Sequence, residues 1–306
     1  MLKKTPSVFR EMVDRHDLDM LCLQETKLQE MHLEDPKLKI RETMQLQDYD
    51  DYWSCSTSKK GYSGTAVFVR KGASKKRSGP KQSTLSFAAT KTGKTEDSAV
   101  KTDVRPDRVA DALLVPELVS FALGKEAHDT EGRIVTVDLP LCTICNVYVP
   151  NAGQKLDRLS YRTDEWDKDL LAFMEKKQKE RNVPVMWLGD LNVAHTNLEV
   201  WNDGAKHLPK QAGVTPEERA SFTAQLEAGY VDSFRRLHPE AEGHYSFWST
   251  RAGNRPVNKG LRLDYFVAHE SFFSENSKAI IRDSYLDHEQ LGSDHCPVIL
   301  EVEFKP

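Results

Sequence analysis

Three short apolar runs in this chain stop abruptly in polar loops, and a fourth polar loop leads into a last, alternating run. No other feature narrows the fold as far. Val185 to Leu188 runs into Gly189-Asp190-Leu191-Asn192-Val193-Ala194-His195, Asp19 to Leu23 into Gln24-Glu25-Thr26-Lys27, and Leu141 to Val149 into Pro150-Asn151-Ala152-Gly153. Leu291-Gly292-Ser293-Asp294-His295-Cys296-Pro297 precedes Val298, Leu300, Val302 and Phe304, which alternate with polar positions. Apolar runs this short, bounded by turn residues, suit core strands. Many such strands with few, separated helices predict two β-sheets packed face to face with helices outside, an α/β sandwich. Any one Asp-Leu-Asn after a strand reads most simply as an Asx turn. Four such loops suggest one shared mouth.

The remaining segments fit that frame. Val8, Phe9, Met12, Val13 and His16 recur at helical spacing, which predicts a helix over 6–16 with Thr5 as its cap and Pro6 at its first position. Trp53 to Ser58 and Thr65 to Val69, joined through Gly61-Tyr62-Ser63-Gly64, read as a hairpin. Arg133 to Leu139 and Leu141 to Val149 are adjacent strands. Leu159, Trp166, Leu170 and Phe173 mark an amphipathic helix with Arg158, Arg162 and Lys168 toward solvent. Thr215-Pro216-Glu217-Glu218 is a capping box that opens a helix carrying Phe222 and Leu226 inward and stopping at Gly229. Tyr245 to Trp248 and Leu261 to Val267 are further strands, and Asp264 in the second needs a partner.

A length of 306 residues is read as one domain, 1–306, interrupted by a basic insertion at 71–115. Lys71 to Arg105 holds seven Lys and two Arg against three acids and almost no large apolar residue, so it is expected to be disordered. Its Lys75-Lys76-Arg77 suits nuclear import or DNA tethering, or else a solubilising loop with no specific partner. Gln82 to Phe87 resembles a sliding-clamp-binding box, but Ala88 and Ala89 stand where paired aromatics are expected. No apolar run approaches the ~18 residues of a membrane span, so no membrane partner is expected. Five cysteines, an odd number, suit a reducing compartment. Cys142 and Cys145 form a CxxC within a strand, where positions three apart face opposite sides, so they share neither metal nor disulfide. Net charge is −4, so binding to a polyanion would need a local patch.

Glu25, Asp190, Asn192, Asp264, Asp294 and His295 all stand at or beside strand ends. Clustered carboxylates with an amide, lacking a Cys/His ligand pattern, suit a hard ion such as Mg²⁺ or Mn²⁺ that favours phosphate oxygens. Asp264 can orient His295 and stabilise its charge for work on a phosphate oxygen. His195 reads as a supporting loop donor.

Six motifs, in order, then resemble the apurinic/apyrimidinic endonucleases of the exonuclease III family, within the endonuclease/exonuclease/phosphatase superfamily. They are Gln24-Glu25-Thr26-Lys27, Gly61-Tyr62-Ser63-Gly64, Tyr148 to Gly153, Gly189 to Val193, Arg262-Leu263-Asp264-Tyr265 and Gly292 to Pro297. The resemblance implies a four-layered α/β sandwich of two packed mixed β-sheets flanked by helices. It implies Mg²⁺-dependent hydrolysis of double-stranded DNA 5′ to an abasic site, as in base excision repair, with 3′-phosphodiesterase or 3′-exonuclease side activities. By the family pattern Glu25 binds the metal with Asp294 at or near it, Asp190 and Asn192 handle the attacking water, and Tyr148 and Asn151 contact the phosphate. His295, paired with Asp264, stabilises the transition state. Phe247, Trp248 and Leu261 match the pocket for a flipped-out abasic sugar, with Leu261 where the more familiar pattern has Trp; core packing is the alternative for these side chains, Trp248 above all. Tyr62 and Arg133 resemble DNA-backbone contacts.

The resemblance also implies a monomer in the nucleus, with a mitochondrial pool. The family opens with a strand bearing Trp-Asn and then Gly-Leu-Arg, whereas Met1-Leu2-Lys3-Lys4 starts just after it. A truncated or mis-started sequence, poorly active or unstable, is therefore expected. Two alternatives stay open: a superfamily phosphoesterase acting on phosphoinositide, sphingomyelin or RNA, and a catalytically impaired DNA-binding or scaffold protein.

Overall fold

The computed structural model describes residues 7–72, 84–86 and 112–305, with the backbone alone at 84–86. Its strands are β1 (Met20–Gln24), β2 (Tyr49–Ser54), β3 (Thr65–Arg70), β4 (Thr84–Ser86), β5 (Leu118–Ser120), β6 (Ile134–Leu139), β7 (Cys142–Tyr148), β8 (Val185–Asp190), β9 (Tyr230–Asp232), β10 (Asp264–His269), β11 (Ala279–Leu286) and β12 (Val298–Phe304). The three longest described helices are α1 (Val8–His16), α2 (Asp167–Arg181) and α3 (Pro216–Glu227).

Six strands form one mixed sheet in the order β5-β6-β7-β8-β10-β9, in which only β7 and β8 run parallel. Alternation along each strand decides what each face buries. Ile144, Met186, Leu188 and Phe266 enter a core shared with Met20 and Val67 of the facing layer and with Ile281 and Leu300. Cys145, Val185, Trp187 and Val267 point the other way, onto Leu170 and Met174 of α2 and Phe222 of α3. α1 adds Met12 and Val13 to the first core. Helix, sheet, sheet and helix are the four layers expected. Each large side chain fully buried this way contributes about 1.5–3 kcal/mol.

The second layer differs from one continuous mixed sheet. It consists of two three-stranded antiparallel ladders, β1-β3-β2 and β11-β12-β4. Among the described residues β1 is paired on one edge only, with β3, whereas β12 has β11 and β4 on its two sides.

Several local expectations hold. The hairpin pairs Trp53 with Ala66, and the capping box at α3 is formed, with the Thr215 hydroxyl accepting from the Glu218 amide. Cys142 and Cys145 lie in different cores and all five thiols are free. Burial pushes both of these thiols up to about 12.

Others are corrected. The helix after Pro6 starts at Val8 with Ser7 at its cap, and Thr5 and Pro6 lie outside the described residues. Tyr245 to Trp248 is not a ladder strand, because Phe247 makes only isolated bridges, to Leu261 and His295. The 71–115 segment is not uniformly unpaired: Thr84–Ser86 pairs with Glu301–Glu303 of β12, and Leu113 and Leu114 pack against the first core. Lys75-Lys76-Arg77 and most of the clamp-like Gln82 to Phe87 lie outside the described residues. No described helix is long and apolar enough to cross a membrane.

Candidate active site

Gly189 sets the geometry of the site. Its φ is +128°, and a Cβ there would lie 2.2 Å from the Val147 carbonyl oxygen and 2.9 Å from Gln24 Nε2, so β7 and the end of β1 close directly onto the backbone of β8. In the sheet register Tyr148 of β7 sits beside Asp190 of β8, and Asp190 sits opposite Asp264 of β10. Residues in register on neighbouring strands share a face, so a phenol and two carboxylates form one row at the end of the sheet. The bridge between Phe247 and His295 then brings the imidazole to that row, where His295 Nδ1 is 2.7 Å from Asp264 Oδ2. The partner that Asp264 requires is His295.

Charges in this row reinforce one another. Burial pushes the Asp190 carboxyl up to about 7; the His295 charge opposes the rise and Asp264 adds to it. Burial works against a charged His295, but the charge of Asp264 and its hydrogen bond, with Asp190 and Asp294 beyond, raise it to about 10. The imidazolium is therefore the resting form at neutral pH. Burial, with Asp190 and Glu25 nearby, raises Tyr148 well above the usual phenol range and keeps it an O–H donor.

Asn192 takes a left-handed backbone, φ +50°, just past β8. Its amide N–H donates to Asp190 Oδ1 at 2.9 Å, and its Nδ2 donates to the Val149 carbonyl at 2.9 Å. Asn151 Nδ2 donates to Asn192 Oδ1 at 2.7 Å, so the two predicted amides act as one unit. His195 supports from behind, with Nε2 2.8 Å from the Thr223 hydroxyl. Glu25, also left-handed at φ +52°, ends β1 with about half of its side chain exposed and Lys27 Nζ 3.1 Å away. Asp294 is exposed, and its carbonyl accepts the Trp248 amide N–H at 2.9 Å.

Among the described residues no three His, Cys, Asp or Glu side chains converge on one point as a complete metal cage. The donors at the mouth are all oxygens, from Glu25, Asp190 and Asp294. Such a set fits a hard divalent cation held by one or two carboxylates, with water and substrate oxygens completing its shell.

These features invite comparison with known proteins. The endonuclease/exonuclease/phosphatase family matches residues 4–295. The chain belongs to this family. It is 37% identical over 295 residues to an exodeoxyribonuclease of Bacillus subtilis (strain 168), covering 96% of this chain and 92% of that one. It is 34% identical over 296 residues to a DNA-(apurinic or apyrimidinic site) endonuclease of Dictyostelium discoideum, covering 96% and 66%. A crystal structure of the AP endonuclease LMAP from Leishmania major superposes with a TM-score of 0.72 at 29% identity, over 100% of this chain and 84% of that one. The family makes this chain a hydrolase and agrees with the motif resemblance.

Arg133, Tyr62 and Trp248 are each engaged by the protein itself. Arg133 is 3% exposed, and its donors go to Glu131, the Tyr148 carbonyl and the Tyr62 hydroxyl, the last at 2.8 Å. Stacked on the Tyr148 ring at 4.9 Å, it positions Tyr148 and is not an open backbone contact. Tyr62 OH is tied to Arg133 and also to Arg158 Nη1, at 2.7 Å. Trp248 is core: 2% exposed, packed with Phe234, Tyr245 and Leu286, and bonded through Nε1 to Asn258 Oδ1 at 3.1 Å. Phe247 and Leu261 do meet, and Leu263 joins them in one apolar cluster.

Leu263 was missed by sequence reasoning, although it alternates with Leu261 and so shares its face. Arg162 was misread as solvent-side. It is 2% exposed and donates to the Leu191 carbonyl at 2.6 Å, the Asn192 carbonyl at 2.5 Å and Glu218 Oε1 at 3.1 Å. Its spacing of four from Trp166 and eight from Leu170 places it on their buried face, a signal present in the sequence.

Proposed function

We propose that this chain is a divalent-metal-dependent DNA phosphodiesterase that hydrolyses the bond 5′ to an abasic site, the incision step of base excision repair. One observation carries the reading. A buried carboxylate raised to about 7 and an imidazolium oriented by its own carboxylate face the same sheet end, the acid–base division that phosphodiester hydrolysis requires. The names of the relatives supply the substrate class.

Asp190 accepts a proton from the attacking water while Asn192, pinned by Asn151 and Val149, holds that water's position. His295 donates to a phosphoryl oxygen as negative charge builds there, and Asp264 keeps its ring in place and charged. Tyr148, a neutral phenol, donates to another phosphate oxygen. Glu25, with Asp294, would hold Mg²⁺ or Mn²⁺, which when bound supplies Lewis-acid stabilisation of the phosphoryl and leaving oxygens. Phe247, Leu261 and Leu263 form the apolar surface against the sugar. The 3′ side activities belong to the same centre.

The test compares cleavage in Mg²⁺ of a duplex with one tetrahydrofuran abasic analogue, an intact duplex and a phosphoinositide. Strong preference for the abasic duplex, abolished by EDTA, is expected. Equal endonucleolytic rates on both duplexes, or activity on the lipid alone, would overturn the reading.

A further inference from the structure

The loop that carries Asp294 and His295 runs from Asp287 to Pro297, between β11 and β12. Leu291, Gly292, Ser293 and Asp294, the four residues directly before the imidazole, are all exposed. Side-chain burial therefore does not fix that stretch, yet a group that works on a phosphate must be held to within about 0.5 Å. The tie comes from another loop. Arg255, in the turn Arg255–Val257, reaches across with both terminal nitrogens. Nη2 donates to the Gln290 carbonyl at 2.6 Å and the His288 carbonyl at 3.1 Å. Nη1 donates to the Ser293 carbonyl at 3.0 Å, with the His295 carbonyl 3.5 Å away. Among the described residues no other donor reaches any of these four carbonyls.

The guanidinium is itself aligned in advance. It lies 4.7 Å from the centre of the Trp248 ring, a cation–π contact. Trp248 Nε1 donates to Asn258 Oδ1, and the Asn258 amide N–H closes the turn onto the Arg255 carbonyl at 3.0 Å. Asn258 Nδ2 ties that turn to the Gly243 carbonyl at 2.9 Å. Buried Trp248 is thus the platform on which Arg255 rests, and its own amide N–H holds the Asp294 carbonyl. A planar fork meets carbonyls on both limbs of a loop at once. An ammonium, one donor centre on a flexible stem, does not.

We propose that Arg255 is a positioning residue for the reaction: it gathers the two limbs of the 288–295 loop onto one guanidinium and so sets where His295 meets the phosphate. With its donors committed to the loop, Arg255 acts through His295 and not on DNA. The inference rests on the nuclease reading above for what His295 does there. The restraint on the loop is a property of the fold alone. What matters is the shape of the donor set, not the positive charge.

The experiment compares wild type, Arg255→Lys and Arg255→Met by steady-state cleavage of the abasic-analogue duplex in Mg²⁺ and by hydrogen–deuterium exchange of the metal-free protein. Both variants should exchange the amides of 288–295 faster than wild type while β10 and β12 stay protected. Both should lose about 10- to 100-fold in kcat with KM little changed. Arg255→Lys keeps the charge and should recover little of that loss. In a His295→Ala background, Arg255→Lys should cost less than about twofold more, because the group through which it acts is gone. Unchanged exchange in 288–295, a wild-type kcat in Arg255→Lys, or a loss that adds in full to that of His295→Ala would overturn the proposal. A wild-type protein that incises no abasic duplex would overturn the nuclease reading instead, and the exchange result would still decide whether Arg255 restrains the loop.

Discussion

Arg162 offers the sharpest test of how the catalytic loop is held. Its guanidinium is buried against Glu218, whose side chain is fully buried, and two of its donors hold the carbonyls of Leu191 and Asn192. Arg162→Met fills much of the volume while removing the charge. Taking one partner from a buried ion pair costs about 3–5 kcal/mol, since the other is left uncompensated. In a chain of this size that is a fall in Tm on the order of 10 °C. Glu218 retains its bonds from Thr215 and the Gly213 amide, so the helix cap survives and the loss comes from the pair. Asp167 Oδ2, also buried, lies 3.8 Å from Arg162 Nε and stays uncompensated, so Arg162→Met with Glu218→Gln should recover part of the stability, because the amide keeps an acceptor for Thr215 and carries no charge. Freed carbonyls let Asn192 drift, and displacement of about 1 Å can cost on the order of 100-fold in kcat. Urea unfolding and steady-state cleavage measure the two effects. A single variant destabilised by less than about 1 kcal/mol, or a double variant no better than the single, would refute the argument.

Gly189→Ala should destabilise the fold by at least about 1–3 kcal/mol and lower kcat, since its Cβ meets the Val147 carbonyl; a wild-type Tm would contradict this. Asp190, raised to about 7, contributes stability that is full below the ordinary carboxylate range near pH 4 and is lost as pH rises through about 7. In EDTA, then, Asp190→Asn should gain stability relative to wild type between pH 5 and pH 8, and a constant difference in Tm would count against the buried carboxyl. Asp264→Asn removes the first of the charges that keep His295 protonated. Burial then governs the imidazole, so activity should fall as pH rises through neutrality, where the wild type retains its imidazolium.

How much the sequence disclosed depended on whether one strand's pattern was sufficient. Asp264 in an apolar run demanded a partner, and His295, already beside a strand start, was the imidazole available. Gly189 marked the end of its strand, but the close approach of Val147 and Gln24 to it was not legible; the left-handed Asn192 is a conformation that Asn tolerates better than most. Long side chains were harder to place, because an arginine has an apolar stem and a polar head and satisfies either periodicity. Arg133 and Arg162 both read as surface and are both buried, Arg162 on acceptors from distant segments and Arg133 on its near neighbour Glu131 and on Tyr148 of the next strand. Trp248 and Phe247 are neighbours that alternate onto opposite faces, one into the core with Phe234 and Leu286 and one beside Leu261; which face meets the site is set by the isolated bridges of Phe247 to Leu261 and His295. The two-part second layer was likewise out of reach, since ladder partners are set by tertiary contacts.

The central claim, that Asp190 handles the attacking water opposite His295, is tested most directly by single-turnover cleavage of an abasic-analogue duplex with saturating Asp190→Asn enzyme. DNA binding is measured alongside, in Ca²⁺. Cleavage reduced by at least about 1,000-fold with Kd within about threefold of wild type is the predicted result, because the amide keeps an acceptor for the Asn192 N–H but cannot take the proton. Cleavage at the wild-type rate would remove Asp190 from the mechanism.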